Sequence, residues 1–222
     1  MAQGDAAILA FQKHYHLQYA SIVFSVSHMK TNSEPKLAAP GAGLPAIEHF
    51  IARVLFRLRR MTGNRETFNA KFQQERIAIR ALVDLCDVAR RGERVLIDRQ
   101  RGMEDSSRHW SVWMTLDHLR ITNEAFARII ADLTQGRIPV GRASTADVKP
   151  SATVTAAVEA AYEQSCDAVL VVLAGVGNLK TAVRFPHPWF GPLDAFGWHA
   201  LAGAHMGIHR GQIASIIAGL PR

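Results

Sequence analysis

The sequence predicts an all-α protein, a four-helix bundle with an additional N-terminal helical extension. Three observations lead there. Four long segments repeat apolar residues at three- and four-residue spacing, the period of a helix buried on one side. Strand-like alternation is scarce. The connections between the periodic segments are short or medium, so consecutive helices can pack side by side. A chain of 222 residues makes one domain, or one domain with an appendage. The expected division is an extension over residues 1–62, whose order the sequence leaves open, and the bundle over residues 63–222.

In the extension, Ala6 to His28 and Pro45 to Met61 each read as a helix. Thr31 to Gly43 holds proline, glycine and alanine and reads as a linker. The first bundle helix is expected from about Glu66 to Arg90, with Phe68, Phe72, Ile79, Leu82, Val83 and Cys86 as its stripe and Gly92 as its stop. Glu93 to Asp98 reads as a short extended piece. The second helix is expected from about Ser107 to Thr134. Ser106 or Ser107 would cap it, because a short hydroxyl accepts a bond from an orphan amide of the first turn.

A polar connector over Arg137 to Pro150 follows. The third helix is expected to begin near Ser151 or Thr153 and to end at Gly175 or Gly177. Its last part, Val169 to Leu173, favours strand by propensity, but the alanine-rich turns before it set a helical period. Thr181 to Phe190 is aromatic and proline-rich and reads as a lid over one end of the bundle. The fourth helix is expected after Gly191-Pro192, with proline in its first turn, running to about Ala218. Gly197, Gly203, Gly207 and Gly211 interrupt it, each costing up to about 1 kcal/mol against alanine. The four-residue spacing of Gly203, Gly207 and Gly211 lines one face with glycine, which lets a neighbouring helix or a ligand come close.

Composition excludes several function classes. No run of eighteen apolar residues occurs, so no membrane-spanning helix and no membrane partner is expected. The N-terminus lacks the pattern of a signal peptide, and a cytoplasmic location is expected. The net charge of +7 permits nucleic-acid binding. The densest basic cluster, Arg53, Arg57, Arg59 and Arg60, has no helix-turn-helix, zinc-finger or RNP-type motif beside it. A solvated basic face is expected there rather than a nucleic-acid site. Cys86 and Cys166 read as buried, reduced thiols.

The chemistry concentrates near the C-terminus. His205 and His209 are four residues apart, so on a helix they stack on one face and can reach one metal ion. Ten histidines give about 0.45 such pairs by chance, so the pair alone decides little. His118, between Leu116 and Leu119, fits either a ligand from a second helix or a hydrogen-bonded core histidine. Angular bookkeeping at about 100° per residue removes His109, about 180° from His118, and His199, about 120° from His205. His187 in the aromatic segment is a fourth ligand or a pocket group. Gln212, three residues after His209, either orients a ligand imidazole or is an ordinary surface glutamine. His14, His16, His28 and His49 read as surface residues. Trp110, Trp113, Trp189 and Trp198 read as core.

Three stretches in this order resemble the DinB/YfiT-like superfamily. They are Trp110 to Leu119, with His118; His187-Pro188-Trp189-Phe190-Gly191-Pro192-Leu193; and His205-Met206-Gly207-Ile208-His209-Arg210-Gly211-Gln212-Ile213. The resemblance covers about Glu66 to Leu220. It implies a helical bundle with divalent-metal ligands at His118, His205 and His209. Zinc or nickel heads the list of metals, with manganese and iron as alternatives. It also implies a low-molecular-weight thiol as cosubstrate, since relatives of this type include thiol-dependent transferases and isomerases.

A three-imidazole site keeps the full metal charge and would lower the pKa of a bound water or thiol. The leading expectation is therefore a metal-dependent enzyme that activates a thiolate or water against a small electrophilic substrate, as a thiol transferase, isomerase or hydrolase. The alternative is a non-catalytic, metal-binding stress-response bundle. It is motivated by the lack of an acid or base near the ligand face: Asp117 is rotated about 100° from His118, and Asp194 lies three turns before His205. A homodimer is expected in either case.

Overall fold

The computed structural model describes residues 34–221. The expected helix over Ala6 to His28, and with it His14, His16 and His28, lies outside the described residues. Five helices follow within them: α1 (Ala46–Thr62), α2 (Arg65–Leu85), α3 (Val112–Thr134), α4 (Ala157–Gly175) and α5 (Ala195–Gly219). Two short antiparallel ladders complete the fold. One joins β1 (Val95–Leu96) to β2 (His109–Trp110), and the other joins β3 (Phe185–His187) to β4 (Gly191–Leu193). No helix among the described residues is long and apolar enough to cross a membrane.

The helix starts are fixed by side chains that satisfy orphan amides. Asn64 and Thr67 form a reciprocal box at α2, with Thr67 N–H donating to Asn64 Oδ1 at 2.8 Å and Asn64 N–H to Thr67 Oγ1 at 2.9 Å. Ser111 caps α3 by accepting from Met114 N–H at 3.1 Å. This corrects the expected start at Ser107. Residues Asp105–Ser107 form a tight 3₁₀ turn, and His109–Trp110 must stay extended to pair with β1.

Asp194 caps α5 by accepting from Gly197 N–H at 2.8 Å, and Pro192 is not a helix-starting proline. It sits in β4 opposite Pro186. Helix α2 ends at Leu85 rather than Arg90, where Cys86 turns extended and a separate 3₁₀ turn, Val88–Arg90, begins. Helix α4 begins later than Ser151 or Thr153, after a turn, and it ends at Gly175.

In the bundle, α5 packs against α2 and α3, and α3 packs against α4. Arg76 of α2 closes the ring by reaching Glu163 (2.6 Å) and Asp167 (2.7 Å) of α4. The core is apolar and well filled, with Phe72, Ile79, Leu116, Ile130, Leu173, Met206, Ile213 and Ile216 at 0–1 % exposure. The valine-rich end of α4 stays helical because Val169 and Leu173 are its buried positions.

Gly203 and Gly207 of α5 admit a helix rather than a ligand. A Cβ at Gly203 would stand 3.1 Å from the backbone nitrogen of Phe72, and one at Gly207 would stand 3.3 Å from Glu75 Oε1. The close approach lets buried Glu75 pair with Arg210 of α5 at 2.6 Å and with Lys71. Helix α1 lies on α5, held by Arg60 to Asp194 at 2.8 Å.

Candidate metal centre

Helices α3 and α5 bring the three candidate ligands together. One turn of α5 separates His205 from His209, and their ring centroids are 4.5 Å apart. His118 of α3 faces both, with centroids 5.0 Å from His205 and 4.4 Å from His209. One ring nitrogen from each residue lies within 4.8 Å of the others, and the Nε2 atoms of His118 and His205 are 3.1 Å apart.

The hydrogen bonds fix which nitrogen of two rings is bare. His118 Nδ1 lies 2.7 Å from the carbonyl of Val148, which can only accept, so Nδ1 carries the proton. Gln212 donates through Nε2 to the carbonyl of Ser107 at 2.7 Å, which turns its Oε1 toward His209 Nδ1 at 2.6 Å. His209 therefore also carries its proton on Nδ1. Both rings present an unprotonated Nε2 to the space between them.

His205 Nδ1 is buried without a hydrogen-bond partner among the described residues, and a proton placed there makes its Nε2 bare as well. Nitrogens sharing a metal at 2.0–2.1 Å stand about 2.9–3.4 Å apart, according to geometry. The 3.1 Å separation fits, and so does the donor chemistry.

Electrostatics keep the rings neutral. Burial pushes the His118 imidazole down to about 4, against the pull of the Val148 carbonyl, and the Lys149 ammonium adds to the lowering. Burial lowers His205 and His209 far below the ordinary imidazole range, and the neighbouring imidazoles add to it. Neutral imidazole is the form that ligates metal. The indole of Trp110 stacks near His209, at 6.2 Å and 11°, and backs the cluster.

The cluster lies in the wall of a cavity of about 890 Å³. Its other walls are mainly apolar: Ile121, Phe126 and Ile129 of α3, Leu55 and Phe56 of α1, and Trp189 and Phe190 of the hairpin turn. The aromatic segment forms this hairpin wall. His187 belongs to the wall and not to the ligand group. Its Nδ1 accepts from Trp189 N–H at 3.1 Å and its ring stacks on Phe190 at 5.0 Å.

His199 turns away from the cluster, as its helix angle requires, and meets Phe68 edge-on at 5.7 Å. His109 is excluded for a reason other than helix angle, since it lies on β2, ahead of α3. His49 is half-buried, with Nε2 2.8 Å from the carbonyl of Trp189, and is not a plain surface residue. Trp110 and Trp198 are core, whereas Trp189 is cavity wall and half-buried Trp113 donates to Glu159 at 2.8 Å. Cys86 and Cys166 are free and buried, and burial pushes the Cys166 thiol up to about 12. Asp117 is engaged by Arg120 at 2.8 Å and Asp194 by Arg60, so neither serves the cluster.

Three elements of the site escaped sequence reasoning. Val148 acts through its backbone carbonyl, which no residue type advertises. Glu104 and Lys149 form an ion pair at 3.0 Å across 45 positions. Helix α1 contributes cavity wall from outside the four-helix pattern.

A comparison with family profiles matches residues 71–213, most of the chain, to the DinB superfamily. The chain belongs to the DinB superfamily. The matched range contains His118, His205 and His209, and it begins within α2. Among solved structures the chain is similar to TT2238, a four-helix bundle protein, at 21% identity and a TM-score of 0.49, covering 66% of this chain and 94% of that one. No curated protein matches. DinB membership and the three-histidine cluster are together compatible with a metal-binding protein.

Proposed function

We propose that this DinB protein is a metal-dependent enzyme whose metal ligands are His118, His205 and His209, acting on a small electrophilic substrate with a thiolate or water as nucleophile. The observation that carries the reading is the set of three neutral imidazoles converging in the wall of an apolar cavity, two of them with tautomers set by Val148 and by Gln212. A divalent metal held there, zinc or nickel first and manganese or iron as alternatives, supplies Lewis acidity and lowers the pKa of a coordinated water or thiol. The chain's own residues do the rest. Val148 and Gln212 orient the rings, Trp110 backs them, and the apolar walls exclude water from the small-molecule substrate and its thiol cosubstrate.

The test is a panel of low-molecular-weight thiols and electrophiles, run with metal-loaded and metal-stripped protein. Turnover that depends on metal supports the enzyme. The absence of turnover with full metal occupancy favours the second reading, a non-catalytic metal-binding bundle. That reading draws on Glu104, a buried carboxylate of the cavity wall whose oxygens are taken up by Lys149, Thr145, Ser106 and two backbone amides.

We further propose that the chain acts as a cytoplasmic homodimer and that residues 1–62 are an extension added to the bundle over 63–222. The dimer rests on α1, which turns Phe56 inward and exposes Ile47, Phe50, Ile51, Val54, Leu55, Leu58 and Met61 at 42–78 % each. These seven form one stripe at helical spacing. A monomer rarely leaves so continuous an apolar surface in water, and a stripe of this extent suits a standard interface of about 800 Å² per partner.

A further inference from the structure

We propose that the Lys149–Glu104 ion pair is a positioning device for the histidine cluster, holding both carbonyls that set the cluster's tautomers. The inference rests on the metal-site reading and extends it to residues that touch no ligand ring.

The two outer bonds of the cluster end on two segments that Lys149 joins. His118 donates to the carbonyl of Val148, and the next residue is Lys149. Its ammonium donates to Glu104 Oε2 (3.0 Å), Ser106 Oγ (2.9 Å) and Ser107 Oγ (3.0 Å), one acceptor for each of its three protons. His209 donates to Gln212, which donates to the carbonyl of Ser107. Ser107 thus serves one ligand through its carbonyl and is tied to the other through its hydroxyl and Lys149.

The connector that carries Val148 has no helix or strand between Gly136 and Ala156, so its carbonyl needs external anchors. Ser151 N–H gives one, bonded to Asp117 Oδ2 at 3.0 Å. Glu104, 4 % exposed, gives the others through Lys149 and through Thr145 Oγ1 at 2.8 Å.

The pair also balances charge. The Lys149 ammonium lies 5.4 Å from the centre of the Trp110 ring, and that ring is 5.2 Å from the ring of His118. A lysine so near a cation site opposes the cation, and the Glu104 carboxylate offsets it. Removing the carboxylate therefore loosens the ligand frame and leaves a positive charge beside the metal.

The test measures cobalt(II) binding and the visible absorption of the cobalt(II) protein, using full-length wild type, Glu104→Gln, Lys149→Gln and Lys149→Arg. Circular dichroism checks folding. The expected result is 10–100-fold weaker cobalt affinity with altered ligand-field bands in Glu104→Gln, and altered bands with a smaller loss of affinity in Lys149→Gln, where removing the opposing charge offsets part of the lost positioning; Lys149→Arg brings the bands back toward wild type. Should Glu104→Gln fail to fold, Lys149→Gln carries the test, since it leaves Glu104 its bonds from Thr145 and the two glycine amides. Folded variants with wild-type affinity and wild-type bands overturn the positioning role. Wild type that takes up no cobalt overturns the metal site itself, and the positioning role with it.

Discussion

His209 Nδ1 and Gln212 Oε1 stand 2.6 Å apart on successive turns of α5, and the same glutamine amide reaches the carbonyl of Ser107 at 2.7 Å. One side chain thereby fixes the proton of a ligand ring and ties the last helix to the turn before α3. Gln212→Leu keeps the volume and removes both bonds. We expect metal affinity to fall about 10–100-fold, as for other outer partners of ligand histidines. The Ser107 carbonyl, left without its donor, adds a stability loss of about 1–3 kcal/mol. A chelator competition titration and a thermal melt check the two effects separately.

Gly203 is where α2 and α5 come closest. A methyl group there would press on the Phe72 backbone at 3.1 Å, and backbone cannot rotate aside. Gly203→Ala gains up to about 1 kcal/mol of helix propensity but forces the helices apart. We expect a net loss of about 1–3 kcal/mol and a melting temperature lower by roughly 2–12 °C. Gly175, which ends α4 with open space around it, is the control, and Gly175→Ala changes little.

Glu75 gives the pH dependence. Burial raises its carboxyl, but hydrogen bonds from Lys71 and Arg210 outweigh burial and hold it below its ordinary value of 4.5. A carboxyl whose folded pKa is depressed stabilises the fold above its unfolded value and loses that contribution as pH falls through the folded one. Glu75→Gln should be less stable than wild type at pH 7. The gap should narrow below pH 4.5 as the wild-type carboxyl takes up its proton. Urea melts of both proteins across pH 3–7 check this, and a gap that widens on acidification contradicts it.

The α1 stripe makes a prediction independent of the metal. Leu58 is 50 % exposed, so Leu58→Glu should leave the bundle folded and its metal content unchanged. It should convert a dimer to a monomer in sedimentation-velocity experiments. A wild type that sediments as a monomer removes the dimer.

Much of this molecule is readable from residue order. The period of Phe68, Phe72, Ile79 and Val83 places α2, and those residues are its buried side. The spacing of His205 and His209, the apolar setting of His118 and the position of Gln212 after His209 lead to the cluster because helix angles are local geometry. The errors fall where tertiary contacts override local signals. Ser107 looks like a cap, but β1 draws Trp110 into a ladder and hands the cap to Ser111. Pro192 looks like a helix start, but β4 pairs with β3. Val148 and the Glu104–Lys149 pair depend on a connector folding back over α3, and no periodicity encodes that path.

The proposed chemistry requires His118, His205 and His209 to share one metal ion. Its most direct test is elemental analysis of protein purified without chelator and incubated with zinc or nickel, beside the triple variant His118→Ala, His205→Ala, His209→Ala. His205→Ala alone, at the least buried of the three, serves if the triple variant does not fold. We expect about one metal ion per wild-type chain, none in the triple variant and sharply weakened binding in His205→Ala. Equal metal content in wild type and folded variant, or a wild type that binds none, contradicts the shared metal site.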